Sequence, residues 1–246
     1  TCFSGVLCPA MGTVLITHKR LLQVNLISHC VLPGLALAMA LGIDPAIGGV
    51  FSGLVGAIAA ESLTNKKNQN YEAVMNTILA GSLGFGVLLI PLLGIRIDLE
   101  AVLFGDLLTA NLSDLLRTLI SFLAFICLMI FGYDKLVHIG LDPEGAASSG
   151  VNVSFLNLAL GFTTALVIVS SMSAVGVILV IALLSTPTLL GLHQAPALWI
   201  AMVRSSIFGL VISLIGFLLA MIFNLAPGPL ISVLCVVSLV FLLKKK

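Results

Sequence analysis

Asn25-Leu26-Ile27-Ser28-His29-Cys30-Val31-Leu32-Pro33-Gly34 is the stretch whose reading decides the fold. It sits inside a run from Leu21 to Ile43 that holds no Asp, Glu, Lys or Arg, long enough to cross a bilayer as one helix. Four residues separate Asn25 from His29, so on a helix both side chains stand on one face, a turn apart. Pro33 lies four beyond His29 and has no N–H for the His29 carbonyl, so a helix break at Pro33-Gly34, beside the polar pair, is expected. An unpaired carbonyl in hydrocarbon costs several kcal/mol and is tolerated where backbone lines a cavity or packs on protein. Two readings stay open. Imidazole, amide oxygen, the Cys30 thiol and a loose carbonyl within one turn would make a weak, transient cation site. Alternatively, a Pro-kinked helix hydrogen-bonds through His29 to a neighbour.

Working outward, the same apolar character fills the chain. Of 246 residues 60% are hydrophobic and 9% charged, and the mean hydropathy is +1.24. A soluble domain carries about 25% charged residues, so this composition defines an integral membrane protein. The charge-free runs are continuously apolar instead of alternating, which argues against a β-barrel. A net charge of +1 gives no sign of a nucleic-acid partner. The five cysteines, Cys2, Cys8, Cys30, Cys127 and Cys235, show neither disulfide nor zinc spacing and read as small buried residues. No cleavable signal peptide is visible, and the first spans would themselves direct insertion. The chain starts with Thr partway into an apolar run, so residues ahead of it are expected to be missing.

Nine spans are expected in a single transmembrane domain covering residues 1–246. They are 1–17, the helix around His29, Ala46 to Ala60, Glu72 to Leu93, Thr118 to Gly132, two spans from Phe155 to Gly191 broken at Ser170-Ser171-Met172-Ser173, Ser205 to Phe223, and Pro229 to Leu243. Gly49 with Gly53, Ser52 with Gly56, and Ser82 with Gly86 have the four-residue spacing of small residues that lets membrane helices approach closely. Gly94 to Arg117 reads as interfacial or re-entrant, Tyr133 to Asn152 as the longest polar loop, and His193 to Arg204, with Trp199, as interfacial. With Lys244-Lys245-Lys246 in the cytoplasm, alternation puts nine of the eleven basic residues inside, as the positive-inside rule requires; Arg96 and Arg117 fall outside.

One cytoplasmic stretch is built as a short helix. In Leu141 to Gly150, Asp142 is a good N-cap, Pro143 suits the first helical position, Glu144 suits the positive end of the dipole, and Gly150 suits the stop. It is either a simple connector or a helix that docks into a partner and transmits force.

Ser28-His29-Cys30-Val31-Leu32-Pro33-Gly34 resembles the Ser-His-Ala-x-x-Pro-Gly signature of the membrane permeases of ABC importers for manganese, zinc, iron and related metal ions. Four stretches agree in order: Phe104-Gly105-Asp106; Asp142-Pro143-Glu144 with Ala146 and Gly150; Val175-Gly176-Val177-Ile178-Leu179 with Thr186-Pro187; and Pro227-Gly228-Pro229. The resemblance covers nearly the whole chain. It implies an all-α integral membrane permease of about 8–9 transmembrane helices, similar in fold to the vitamin B12 importer permease, in the bacterial plasma (inner) membrane with a cytoplasmic C-terminus. It implies pairing with a second copy, docking on a cytoplasmic ABC ATPase dimer through a coupling helix at about 141–150, and delivery of the ion by an extracellular metal-binding lipoprotein. It implies that no cofactor is held permanently and that the cargo is Mn2+, with Zn2+ or Fe2+ as other candidates. The family's Asp and His on the second helix match Asn25 and His29. Where the family has Gly-Asp, this chain has Val24-Asn25, which keeps an oxygen ligand and removes a charge.

The remaining titratable groups carry less. Asp44 and Glu61 lie at span ends, Asp98, Glu100 and Asp106 read as a solvated extracellular loop, and His18, His138 and His193 as exposed. No phosphate-binding loop, zinc-protease motif or catalytic triad occurs, so the chain reads as a transport subunit, with ATP hydrolysis on another chain. The alternative is a stand-alone ion-coupled secondary metal transporter. Against it, every acidic residue lies at a span end or in a loop.

Overall fold

The computed structural model describes residues 2–67, 70–95, 112–193, 195–223 and 225–244. All its elements are helices: α1 (Cys2–Thr17), α2 (Leu21–Ala40), α3 (Pro45–Lys67), α4 (Tyr71–Leu92), α5 (Leu112–Leu141), α6 (Pro143–Ser148), α7 (Val153–Val175), α8 (Val177–Leu192), α9 (Leu198–Phe223) and α10 (Pro227–Lys244). The expected all-α membrane architecture is therefore observed. Among the described residues six helices are long and apolar enough to span a bilayer, and Phe3–Thr17, Val177–Leu192 and Pro227–Phe241 are shorter apolar helices. The motif Phe104-Gly105-Asp106, together with Arg96, Asp98, Glu100, Lys245 and Lys246, lies outside the described residues.

Several boundaries differ from expectation for one reason: charge ends a hydrophobic span without ending a helix. α3 continues through Ser62 to Lys67, past the expected end at Ala60. α5 starts at Leu112, so Asp114 and Arg117 belong to its first turns, where Arg117 Nη1 pairs with Asp114 Oδ1 at 3.1 Å. It then runs on through Tyr133, Asp134 and Lys135 to Leu141, a stretch whose polarity suggests a loop. α9 starts at Leu198 and includes Trp199 and Arg204.

The expected break at Ser170 to Ser173 is also displaced. α7 runs to Val175, and the chain turns at Gly176, with φ 84 and ψ 156, a conformation essentially confined to glycine. Ser170 does not interrupt the helix because its hydroxyl lies 2.9 Å from that of Ser121 on α5, which satisfies it within the bilayer.

The chain folds as two compact units. The first comprises residues 1–19, 99–151 and 170–246. In it α1, α8, α9 and α10 pack on one another, and α5 meets α1 and α6. Polar groups bridge these helices: the Thr188 hydroxyl donates to the Pro9 carbonyl at 3.1 Å, and that of Ser206 donates to the Val6 carbonyl at 3.1 Å. Gly12 lies against the Leu184 backbone of α8.

The second unit comprises residues 20–98 and 152–169. α2 packs on α3 and α4. Its crossing with α3 is a glycine contact: a Cβ on Gly34 would strike the Gly48 carbonyl and the Ser52 hydroxyl, and one on Gly48 would strike the Gly34 carbonyl. Lipid is as apolar as a leucine side chain, so close backbone approach, more than burial, holds such helices together. The spaced small residues make this approach possible: Gly56 receives the Cys30 side chain, Gly53 faces Ile27, and Gly86 of α4 faces Leu32 and Pro33.

Candidate functional site

The site is built on α2. No side chain caps its first turn at Arg20, but Arg20 Nη2 ties the helix start to Glu61 Oε1 of α3 at 2.9 Å. Glu61, expected to be a solvated span-end group, thus has a partner. At the other end the turn falls at Gly42-Ile43-Asp44-Pro45, where the Ile43 N–H donates to the Ala38 carbonyl at 2.9 Å and Asp44 accepts from the Ala46 N–H at 2.9 Å.

Between these ends α2 is continuous. The break expected at Pro33 and Gly34 is not found: Pro33 still withholds an N–H from the His29 carbonyl, but the helix runs through it, and both residues are buried in packing contacts. Their role here is to let α3 and α4 come close.

α2 is the most enclosed of the six spans, with 72% of its apolar stretch buried. Asn25 and His29 are the exceptions in its middle: both are partly exposed while Leu26, Ile27, Ser28 and Cys30 are buried. Neither side chain makes a hydrogen bond among the described residues, whereas Ser28 donates back to the Val24 carbonyl at 2.9 Å. Asn25 and His29 therefore stand one turn apart on a continuous helix, with no hydrogen bond of their side chains among the described residues. The Cys30 thiol is not part of it. It donates to the Ser82 hydroxyl of α4 at 3.1 Å, is 2% exposed, and packs on Gly56.

One chain thus offers one imidazole nitrogen and one amide oxygen. Among the described residues no three His, Cys, Asp or Glu side chains converge. Zinc asks for four ligands and manganese for a near-octahedral set, so this pair alone does not complete a shell.

The second candidate region forms as its residues require. Asp142 takes an extended conformation (φ −146, ψ 93), and its carboxylate accepts from the N–H groups of Glu144 at 3.1 Å and Gly145 at 2.9 Å. Pro143 opens α6, and Ala146 is its buried residue, 2% exposed. At the other end the Gly150 N–H donates to the Ala147 carbonyl and the Val151 N–H to that of Ala146, with Gly150 at φ 81. This double closure needs a left-handed residue, which is why glycine stands there. Gly145 was missed in the sequence. A Cβ on it would collide with the Asp142 carboxylate, so the cap depends on it.

Of the histidines, His138 and His193 are exposed as expected, while His18 is partly buried and packs beside Gly140. Cys8 and Cys235 are buried, and Cys127 is exposed.

Six helices long and apolar enough to span a bilayer among the described residues define a multi-pass membrane protein. Residues 1–245 match the ABC 3 transport family, and the chain belongs to it. It is 31% identical over 224 residues to the manganese transport system membrane protein MntC of Listeria monocytogenes, covering 91% of this chain and 80% of that one. It is 32% identical over 242 residues to the manganese import system permease protein ScaB of Streptococcus parasanguinis, covering 97% and 84%. It is also 32% identical over 232 residues to the chelated iron transport system membrane protein YfeD of Yersinia pestis, covering 94% and 78%. Among solved structures, PsaBC from Streptococcus pneumoniae in complex with Fab superposes with a TM-score of 0.87 at 29% identity, over 98% of this chain and 87% of that one.

Proposed function

We propose that this chain is the membrane-spanning permease subunit of an ATP-driven importer of divalent transition-metal ions, with manganese favoured over zinc or iron. Two copies face each other through α2, so that His29 and Asn25 of each border the path. The pair supplies two imidazoles and two amide oxygens, a tetrahedral set for zinc or the protein part of a six-coordinate set completed by water for manganese. With no carboxylate in the set, the ion is held loosely, as rapid passage requires. An extracellular lipoprotein delivers the ion, and the C-terminus lies in the cytoplasm, where α6 docks an ATPase subunit and transmits its closure to the membrane helices.

The observation that carries this reading is the partly exposed Asn25–His29 pair, without a hydrogen bond among the described residues, in the enclosed middle of α2, in a chain of the ABC 3 transport family. Polar groups facing lipid would be costly, so the pair calls for a polar path or a partner opposite it. Support for manganese comes from the names of similar proteins, and iron has the same kind of support. The test is uptake of radioactive manganese in cells carrying His29→Ala at normal protein level. Loss of uptake by about tenfold or more is expected, the scale on which disturbed metal coordination shows itself. Unchanged uptake would remove His29 from the path.

A further inference from the structure

The second unit contains a cavity of about 250 Å³, apart from the Asn25–His29 face, whose walls come from α2, α3 and α7. Gln23, Glu61, Ser154 and Asn157 give it polar groups, and Ile58 and Leu158 give it apolar ones. One polar atom on its wall is buried and unsatisfied among the described residues, and a second polar side chain makes no hydrogen bond there. Gln23 is only 3% exposed, and its carboxamide makes no hydrogen bond among the described residues. The Asn157 Oδ1 is buried without a partner among the described residues. A buried amide oxygen left unpaired is costly, and one set beside a cavity with a second unbonded carboxamide on its wall suits a donor that enters it.

Position narrows the choice. Gln23 and Asn157 stand two and four residues into α2 and α7, about 3 and 6 Å along the helix axes. That depth is the headgroup level of a bilayer, whose polar region adds roughly 5–7 Å on each side of the hydrocarbon. Charge narrows it further. Glu61 already pairs with Arg20, so a bare cation would have to compete with a guanidinium for the carboxylate. A zwitterion offers a counter-charge to each: N–H donors for Asn157 Oδ1, Gln23 and Glu61, and a phosphate for Arg20. Ile58 and Leu158, 44% and 47% exposed, continue the walls as apolar surface for acyl chains.

We propose that this cavity binds the headgroup of a phospholipid bearing a primary ammonium, phosphatidylethanolamine, from the leaflet at the Arg20 end of α2. The proposal stands apart from metal transit and rests on the membrane-spanning architecture alone.

The test is native mass spectrometry of the purified full chain equilibrated with equal amounts of phosphatidylethanolamine, phosphatidylcholine and phosphatidylglycerol. The wild type should retain phosphatidylethanolamine about tenfold over phosphatidylcholine, whose trimethylated nitrogen has no N–H to donate. Asn157→Leu should lose that preference. Gly161→Leu supplies an independent check: the nearest atom to a Cβ there is Gln23 Nε2 at 3.9 Å, so the added Cβ meets no backbone and points the new bulk at a residue that lines the cavity. It should lose the preference while keeping or raising the lipid-free melting temperature. Equal retention of phosphatidylethanolamine and phosphatidylcholine by the wild type would overturn the proposal, as would an undiminished preference in Gly161→Leu. Equal retention of phosphatidylglycerol would reduce the site to a phosphate contact and overturn the ammonium assignment. A rise in the wild-type melting temperature with manganese chloride alone, absent in Gly161→Leu, would give the cavity to a cation instead.

Discussion

The two faces of α2 obey different rules. Toward α3 and α4 the motif residues have close partners: Gly34 meets Gly48, Cys30 meets Ser82 and Gly56, and Pro33 meets Gly86. On the Asn25–His29 face, two groups with strong hydrogen-bonding capacity have nothing among the described residues to meet. The difference teaches that a motif read as a unit, from Ser28 to Gly34, is divided by the helix into a part that packs on α3 and α4 and a part, His29, that does not.

The sharpest way to break this division is Gly34→Leu. No Cβ fits between Gly34 and the Gly48 backbone, so the helices must separate, and overpacking of this kind costs about 3 kcal/mol or more. A strongly lowered melting temperature in detergent and a reduced level in membranes are expected. A variant that melts like the wild type would show that the α2–α3 crossing is not the structural face.

Asn25→Asp addresses the other face. It places a carboxylate at a partly exposed position with no hydrogen bond to break among the described residues, so stability should hold. Ligand charge tunes affinity for hard cations, and a gain of about tenfold in manganese retained by the purified protein is expected, about 1.4 kcal/mol. Elemental analysis after gel filtration measures it. No gain would mean that position 25 does not meet the ion.

How much of this is legible in the sequence depends on the range over which the deciding contact acts. The cap of α6 can be read residue by residue, because an N-cap, a proline at the first helical position and a C-terminal glycine all act within a few residues of chain. Asp142→Ala tests it on its own scale. Losing the cap costs about 1 kcal/mol, so the amides of Glu144 and Gly145, which Asp142 accepts from, should exchange hydrogen roughly fivefold faster. Unchanged exchange would mean that packing of Ala146, and not the cap, holds α6.

The break expected at Pro33 fails because a missing N–H is a local fact, whereas helix continuity there is set by α3 and α4. The break expected at Ser170 to Ser173 fails likewise: a hydroxyl reads as polar in one dimension, yet Ser121 waits across from it on α5. The lipid-interface cavity is invisible in the sequence, since Gln23, Glu61 and Asn157 come from three helices and share no spacing.

Cys30 shows the same limit in one residue and gives the smallest expected effect. Adjacency to His29 groups it with the cation site in the sequence, yet successive helical residues point about 100° apart. That rotation turns the thiol to Ser82 while the imidazole faces outward. Cys30→Ala also installs the residue that the family signature carries at this position. Losing the sulfur and one weak hydrogen bond beside Gly56 should lower the stability by about 1 kcal/mol or less, and manganese uptake should stay at the wild-type rate. A marked fall in uptake with an unchanged melting temperature would place the thiol among the ion's ligands, and the two faces of α2 would then be one.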